Sequence, residues 1–169
     1  MIPDCGDNSP VKRFSHCSGV FEFDRDREYL EVDNGFKPDG LWLSDDSNNN
    51  GWIAWCKEQN NGWIRGHNIW EVLVDTRRLL KISRSPENVP KKYLIPHPGF
   101  RPGSKQLCVD WKQMKVDGYA GFWVDDYKGV FVDHIWWYGW DCDSAVVWDL
   151  SVVVQVEPMV ASKVALRHD

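Results

Sequence analysis

"GLWLSDDSNNNGWIAWC", residues 40–56, sets three tryptophans around an acidic, asparagine-rich run. "GLWLS" is a short apolar stretch bounded by turn formers, as a brief strand is. "DDSNNNG" has the composition of a loop, because Asp, Asn and Ser side chains bond their own backbone and Gly tolerates tight turns. Beyond it Trp52, Trp55 and Cys56 fall at i, i+3 and i+4, so a short helix is expected from Asn50 or Gly51 onward. A strand, a polar loop and a short helix in such close succession belong to a mixed fold.

The flanks extend that pattern. Upstream, "FSHCSGVFEF" (14–23) alternates and is rich in β-formers, so it reads as a strand or as a strand with an early turn. Residues 1–12 read as a loose arm and 13–169 as a single domain. Downstream, "IWEVLVD" (69–75) and "LLKIS" (79–83) are strand-like. The segment 85–106 holds five of the nine prolines and is expected to run over the surface. "CVDWKQMKV" (108–116) reads as a second short helix. The stretches 118–127, 129–141 and 144–156 are dense in Val, Phe, Trp and Tyr and read as strands. The expected class is α+β, with two small twisted, mostly antiparallel sheets packed face to face around a cleft and a few short helices.

Composition excludes several classes. At 169 residues the chain makes one domain with a real core, since chains of this size bury roughly 68–70% of their unfolded surface. A net charge of −5 disfavours a nonspecific nucleic-acid binder. Five cysteines without a CxxC pair point to reduced thiols and a cytoplasmic setting rather than to a disulfide framework. There is no apolar leader and no run approaching the ~20 residues of a membrane helix, so no membrane association is expected. P-loop, GxGxxG, HExxH and GxSxG patterns are absent, and the five histidines are too dispersed for a metal site to be expected.

Polar residues inserted into apolar strands are the remaining candidates for chemistry. His16 interrupts the first strand, where it is either a satisfied structural histidine or a ligand contact. Ser44 ends "GLWLS", with Trp42 on the same strand face, either in the core or as a flat wall for a planar ring. In "WDCDSAVVWD" (140–149), Asp141 and Asp143 share one face of a strand and would make a carboxylate pair, or else form an Asx-rich turn with Ser144.

In that order, a first-strand histidine, a "GLWLS" strand leading into an aromatic helix, and a polar turn entering a late strand, the chain resembles the ADP-ribosyltransferase fold of the diphtheria-toxin-like and poly(ADP-ribose) polymerase-like enzymes. The resemblance spans roughly residues 13 to 155. It implies NAD as substrate, with His16 bonding a ribose of NAD and Trp42 standing where the family has a tyrosine on the nicotinamide. Ser44 would lie nearby, and Trp52 or Trp55 would form the second wall. Where family transferases have a glutamate, this sequence has Ser144 with Asp143 beside it, so those two would divide the catalytic work. The acidic loop would be a mobile lip.

Three functions follow as expectations. One is an NAD-dependent ADP-ribosyltransferase or NAD glycohydrolase, acting on a protein or nucleic-acid acceptor recognised through the proline-rich stretch 85–104. The second is a catalytically silent relative that binds a nucleotide or ADP-ribose, or acts as an interaction protein. The third is a carbohydrate-binding module that uses exposed tryptophan faces.

Overall fold

The computed structural model describes residues 10–30, 36–59, 62–97, 99, 101, 103–129 and 133–159. It is an α+β structure with two sheets and two short α-helices. The larger sheet takes seven strands, β1 (Val11–Ser18), β2 (Leu41–Ser44), β3 (Asn68–Asp75), β4 (Leu79–Ser83), β7 (Gly121–Asp125), β8 (Ser144–Val147) and β9 (Val153–Pro158). Their order is β4-β7-β8-β2-β1-β3-β9. The smaller sheet is a hairpin of β5 (Leu94–Pro96) and β6 (Leu107–Val109). Helix α1 spans Trp52–Glu58 and α2 spans Trp111–Val116. None of the described helices is long and apolar enough to cross a membrane.

The division of strands is more unequal than two comparable sheets would be, and the physical boundary lies inside the large sheet. β1 pairs with β3 along its whole length, from Val11↔Asp75 to Ser18↔Asn68. β2 pairs fully with β8, from Leu41↔Val147 to Ser44↔Ser144. Between β1 and β2, however, the only registered pair is Ser15↔Ser44. The sheet is thus a three-strand half, β1-β3-β9, and a four-strand half, β4-β7-β8-β2, joined at one seam.

Alternation of side chains gives the sheet two apolar faces. Phe122, Val124 and Val146 point to one core with Trp111, Trp136, Trp137, Trp140 and Trp148. Trp123, Ala145, Val147, Leu41 and Leu43 point to the other, with Phe14, Val72 and Val74. α2 closes part of the first face; Asp110 caps it by accepting from the Gln113 amide at 2.9 Å, and it buries Trp111 and Met114. The proline-rich segment joins that cover through buried Val89 and Tyr93 and through the β5–β6 hairpin.

Three local expectations need correction. Residues 1–9 of the expected arm lie outside the described residues, and Val11 and Lys12 belong to β1. The stretch 129–141 is not a strand over its described part: Ile135–Gly139 is a 3-10 turn. A strand directs alternate residues to opposite faces, whereas this turn buries the neighbours Trp136 and Trp137 together in one core. The stretch 144–156 breaks at Asp149, whose side chain accepts from the Ser151 amide at 3.0 Å. β8 therefore lies beside β2, and β9 at the far edge on β3.

Candidate functional site at the sheet seam

A cavity of about 280 Å³ opens where β1 and β2 part. β1 contributes Ser15, His16 and Cys17, and β2 contributes Trp42, Leu43 and Ser44. Trp52 comes from the start of α1, and Trp140, Asp141, Cys142 and Ser144 from the approach to β8. The structure therefore brings His16, Trp42, Ser44, Trp52 and Ser144 to one cavity from three separate stretches. Trp55 and Asp143 are not among its lining residues.

His16 spans the seam. Its Nδ1 lies 2.8 Å from the Trp42 carbonyl oxygen, which can only accept, so Nδ1 carries the hydrogen. Burial lowers the imidazole pKa from its usual value, against the opposing effect of that hydrogen bond. The neutral ring then has an unprotonated Nε2, an acceptor for a ligand hydroxyl. Phe21 packs on the ring with centroids 4.3 Å apart.

Trp42 is half-buried between the core and the cavity. Its ring meets Trp140 at 4.7 Å and 50°, and the Lys37 ammonium lies 4.9 Å from its centroid. Trp52 bounds the cavity and stacks on Trp55 at 4.9 Å and 14°. Trp55 thus supports the wall from behind.

The acidic loop is tied down rather than free as a lip. Ser44 Oγ accepts from the Trp52 amide at 2.7 Å, satisfying the first N–H of α1, and donates to Asp46 Oδ1 at 2.8 Å. Buried Asp45 accepts from Trp123 Nε1 at 3.1 Å and from Ser47 Oγ at 2.6 Å, and pairs with Lys12 at 3.3 Å. Gly51 is required here, because a Cβ would fall 2.4 Å from Asp46 Oδ1 and 2.5 Å from Ser44 Oγ.

Asp143 is the knot of that loop. Its main chain donates to the Asn50 carbonyl at 2.9 Å and accepts from the Asp45 amide at 3.0 Å. Its Oδ1 accepts from Asn50 Nδ2 and from the Tyr127 amide, both at 2.7 Å. Burial raises its pKa, against those hydrogen bonds. Asp143, expected to face the ligand, does not line the cavity, and its side chain ties the loop. Asp141, two residues away and exposed, is the acidic residue among those lining the cavity.

Ser144 is buried at the cavity wall, and its hydroxyl donates to the Cys142 carbonyl at 3.1 Å. Burial, helped by the Asp141 charge, pushes the Cys142 thiol up to about 12, so it is no nucleophile at neutral pH. Cys17 is also raised by burial. Among the described residues no group of three or more His, Cys, Asp or Glu could hold a metal ion.

Three cavity residues carried no sequence signal as ligands. Lys37 looks like an ordinary turn cation before "PDG", Trp140 like a strand core residue, and Cys17 like a small apolar filler. None of the described residues in 85–104 lines the cavity.

No protein-family model matches the chain, and no curated protein and no solved structure matches it significantly.

Proposed function

We propose that the cavity receives the nicotinamide riboside half of NAD and that the protein cleaves the bond between nicotinamide and ribose. ADP-ribose would pass to a protein or nucleic-acid acceptor, or to water. The observation that carries this reading is the convergence of His16, Trp42, Ser44 and Ser144 on one cavity of about 280 Å³. Ligand sites run about 300–1,000 Å³, so the volume suits half of a dinucleotide better than the whole. The resemblance to ADP-ribosyltransferases supports the same residues, and Cys17, Cys108 and Cys142, which form no disulfide, fit a cytoplasmic setting.

In the proposed step the ribose C1′–N bond breaks and its electron pair leaves with nicotinamide, which loses its positive charge. The acceptor atom then adds to C1′ and sheds its proton. Trp42 and Trp52 hold the planar ring. His16 Nε2 accepts from a ribose hydroxyl, and Asp141 supplies the negative charge that an oxocarbenium-like sugar requires.

A second reading, a silent binder of nucleotide or ADP-ribose, is favoured by Ser144. It stands where the resembled enzymes have glutamate, and its hydroxyl is already engaged by Cys142. A carbohydrate module gains little support, because six of the eleven tryptophans are buried.

Nicotinamide release and NAD affinity, measured side by side, test the reading. The wild type is expected to do both. Asp141→Asn should lower release by about 10²-fold with affinity retained, as for loss of one transition-state electrostatic contact. His16→Ala should weaken binding as well. NAD bound without any release selects the silent binder, and no NAD binding by the folded wild type overturns both.

A further inference from the structure

Lys37 is the single lysine or arginine among the described residues lining the cavity. Its ammonium stands 4.9 Å from the centroid of Trp42, the ring assigned above to hold nicotinamide. Its stem is seated on Gly139, where a Cβ would fall 2.9 Å from Lys37 Cγ and 3.0 Å from Cε. Any other residue at 139 would push the lysine away from its present course. Asp141 lines the same cavity, so the lining holds one cationic and one anionic residue.

Resting on the reading of the cavity as a nicotinamide site, we infer that Lys37 is a specificity-determining residue that selects phosphate-bearing pyridine nucleotides over the bare riboside. An ammonium and a pyridinium are both drawn to the π face of an indole. Two cations cannot share that face, so an entering nicotinamide ring must displace the lysine. A riboside brings nothing to receive the displaced charge. A mononucleotide or dinucleotide brings a phosphate on the ribose, within the sweep of a flexible four-carbon stem, and the ammonium exchanges a cation–π contact for a charge-assisted hydrogen bond.

Calorimetric titration of nicotinamide riboside, nicotinamide mononucleotide and NAD into wild type, Lys37→Met and Lys37→Arg tests the inference, with a melting curve to establish that each variant is folded. The wild type is expected to prefer the mononucleotide to the riboside by about tenfold or more, the scale of one hydrogen bond to a charged group. Lys37→Met should collapse that preference, weakening the mononucleotide and NAD while leaving the riboside equal or tighter. Lys37→Arg should keep it. An unchanged preference in folded Lys37→Met overturns the role of Lys37 and leaves the nicotinamide site standing. Failure of the wild type to bind any of the three ligands overturns the site reading and this inference together.

Discussion

Two groups of indoles occupy this molecule, and they are arranged on opposite geometric principles. In the core, Trp111, Trp136, Trp137 and Phe122 meet edge to face. The interplanar angles are 80° for Trp111–Phe122, 85° for Trp111–Trp136, 83° for Phe122–Trp136 and 85° for Trp136–Trp137. At the rim, Trp63 lies 26° from the plane of Trp52, which is itself 14° from Trp55. Perpendicular rings fill space in three directions and satisfy the quadrupole of each face with a neighbour's edge. Near-parallel rings leave an outer face, and Trp63 is 60% exposed. The core group is built for volume, as the buried Nε1 atoms of Trp111, Trp136 and Trp140 without a hydrogen-bond acceptor attest. Trp140 joins the two regimes, packing on Phe122 at 5.5 Å, on Trp42 at 4.7 Å, and bounding the cavity.

The largest test of that contrast is Trp136→Ala. Truncating a fully buried aromatic leaves a cavity that its neighbours fill only in part, so a loss of ~3–5 kcal/mol is expected in denaturant unfolding. A loss below that of an average surface substitution would mean that the perpendicular cluster adds nothing beyond its place in the chain.

Asp143, which holds the rim loop to β8, comes next. Asp143→Ala strips the acceptor from Asn50 and from the Tyr127 amide and should cost ~1–3 kcal/mol. Asp143→Asn keeps an acceptor at Oδ1 and removes a buried charge, so its stability should match the wild type near neutral pH. The pH dependence separates them further. A carboxyl whose folded pKa is raised stabilises most below its unfolded pKa, and that contribution is lost as pH rises through the folded value. The asparagine variant should lack this decline. Equal losses for both variants would leave sterics alone to explain the position.

His16 is a smaller effect of opposite sign. Its folded pKa is lowered, so stability should be full above its ordinary value and fall as pH drops from about 6.5 through the folded value, by at most ~1.4 kcal/mol per pH unit. Unfolding midpoints of wild type and His16→Gln between pH 5 and 8 check this, and a wild-type curve parallel to the variant's would remove His16 from the linkage.

Trp63→Ala, which removes ring contacts with Trp52 and Trp55 at the surface, should matter least to folding, costing under ~1.5 kcal/mol per ring pair. A loss equal to that of Trp136→Ala would erase the distinction between the two groups.

These particular residues also mark what the sequence could convey. Strands β1, β2, β3, β4, β7 and β8 and both helices are legible, because alternation and i, i+3 spacing are local properties. The parallel pairing of β4 with β7 is not, since it joins segments that carry no mutual signature. The 3-10 turn at Ile135–Gly139 was hidden because a run of consecutive aromatics has no period. At the site, His16, Trp42, Ser44 and Ser144 stand out as polar or aromatic interruptions of regular strands. The choice between Asp141 and Asp143 was beyond reach: both sit on one face of an ideal strand, and only the bonds from Asn50 and Tyr127 decide which one turns inward.

The wall of Trp140, Asp141, Cys142 and Ser144 has a consequence for the chain while it is being made. Asn50 and Asp143 are 93 positions apart, and β2 has no full ladder partner until β8 is present. The β1–β3 pairing can form early on a growing polypeptide, but the opening at the seam has only one side until translation has passed residue 144. Synthesis proceeds at about 5–20 residues per second, and domains generally fold as units. A nascent chain held on the ribosome before that point would carry His16, Trp42 and Ser44 and still have nowhere to hold a ligand, so any activity of this site begins only after residue 144 has been made.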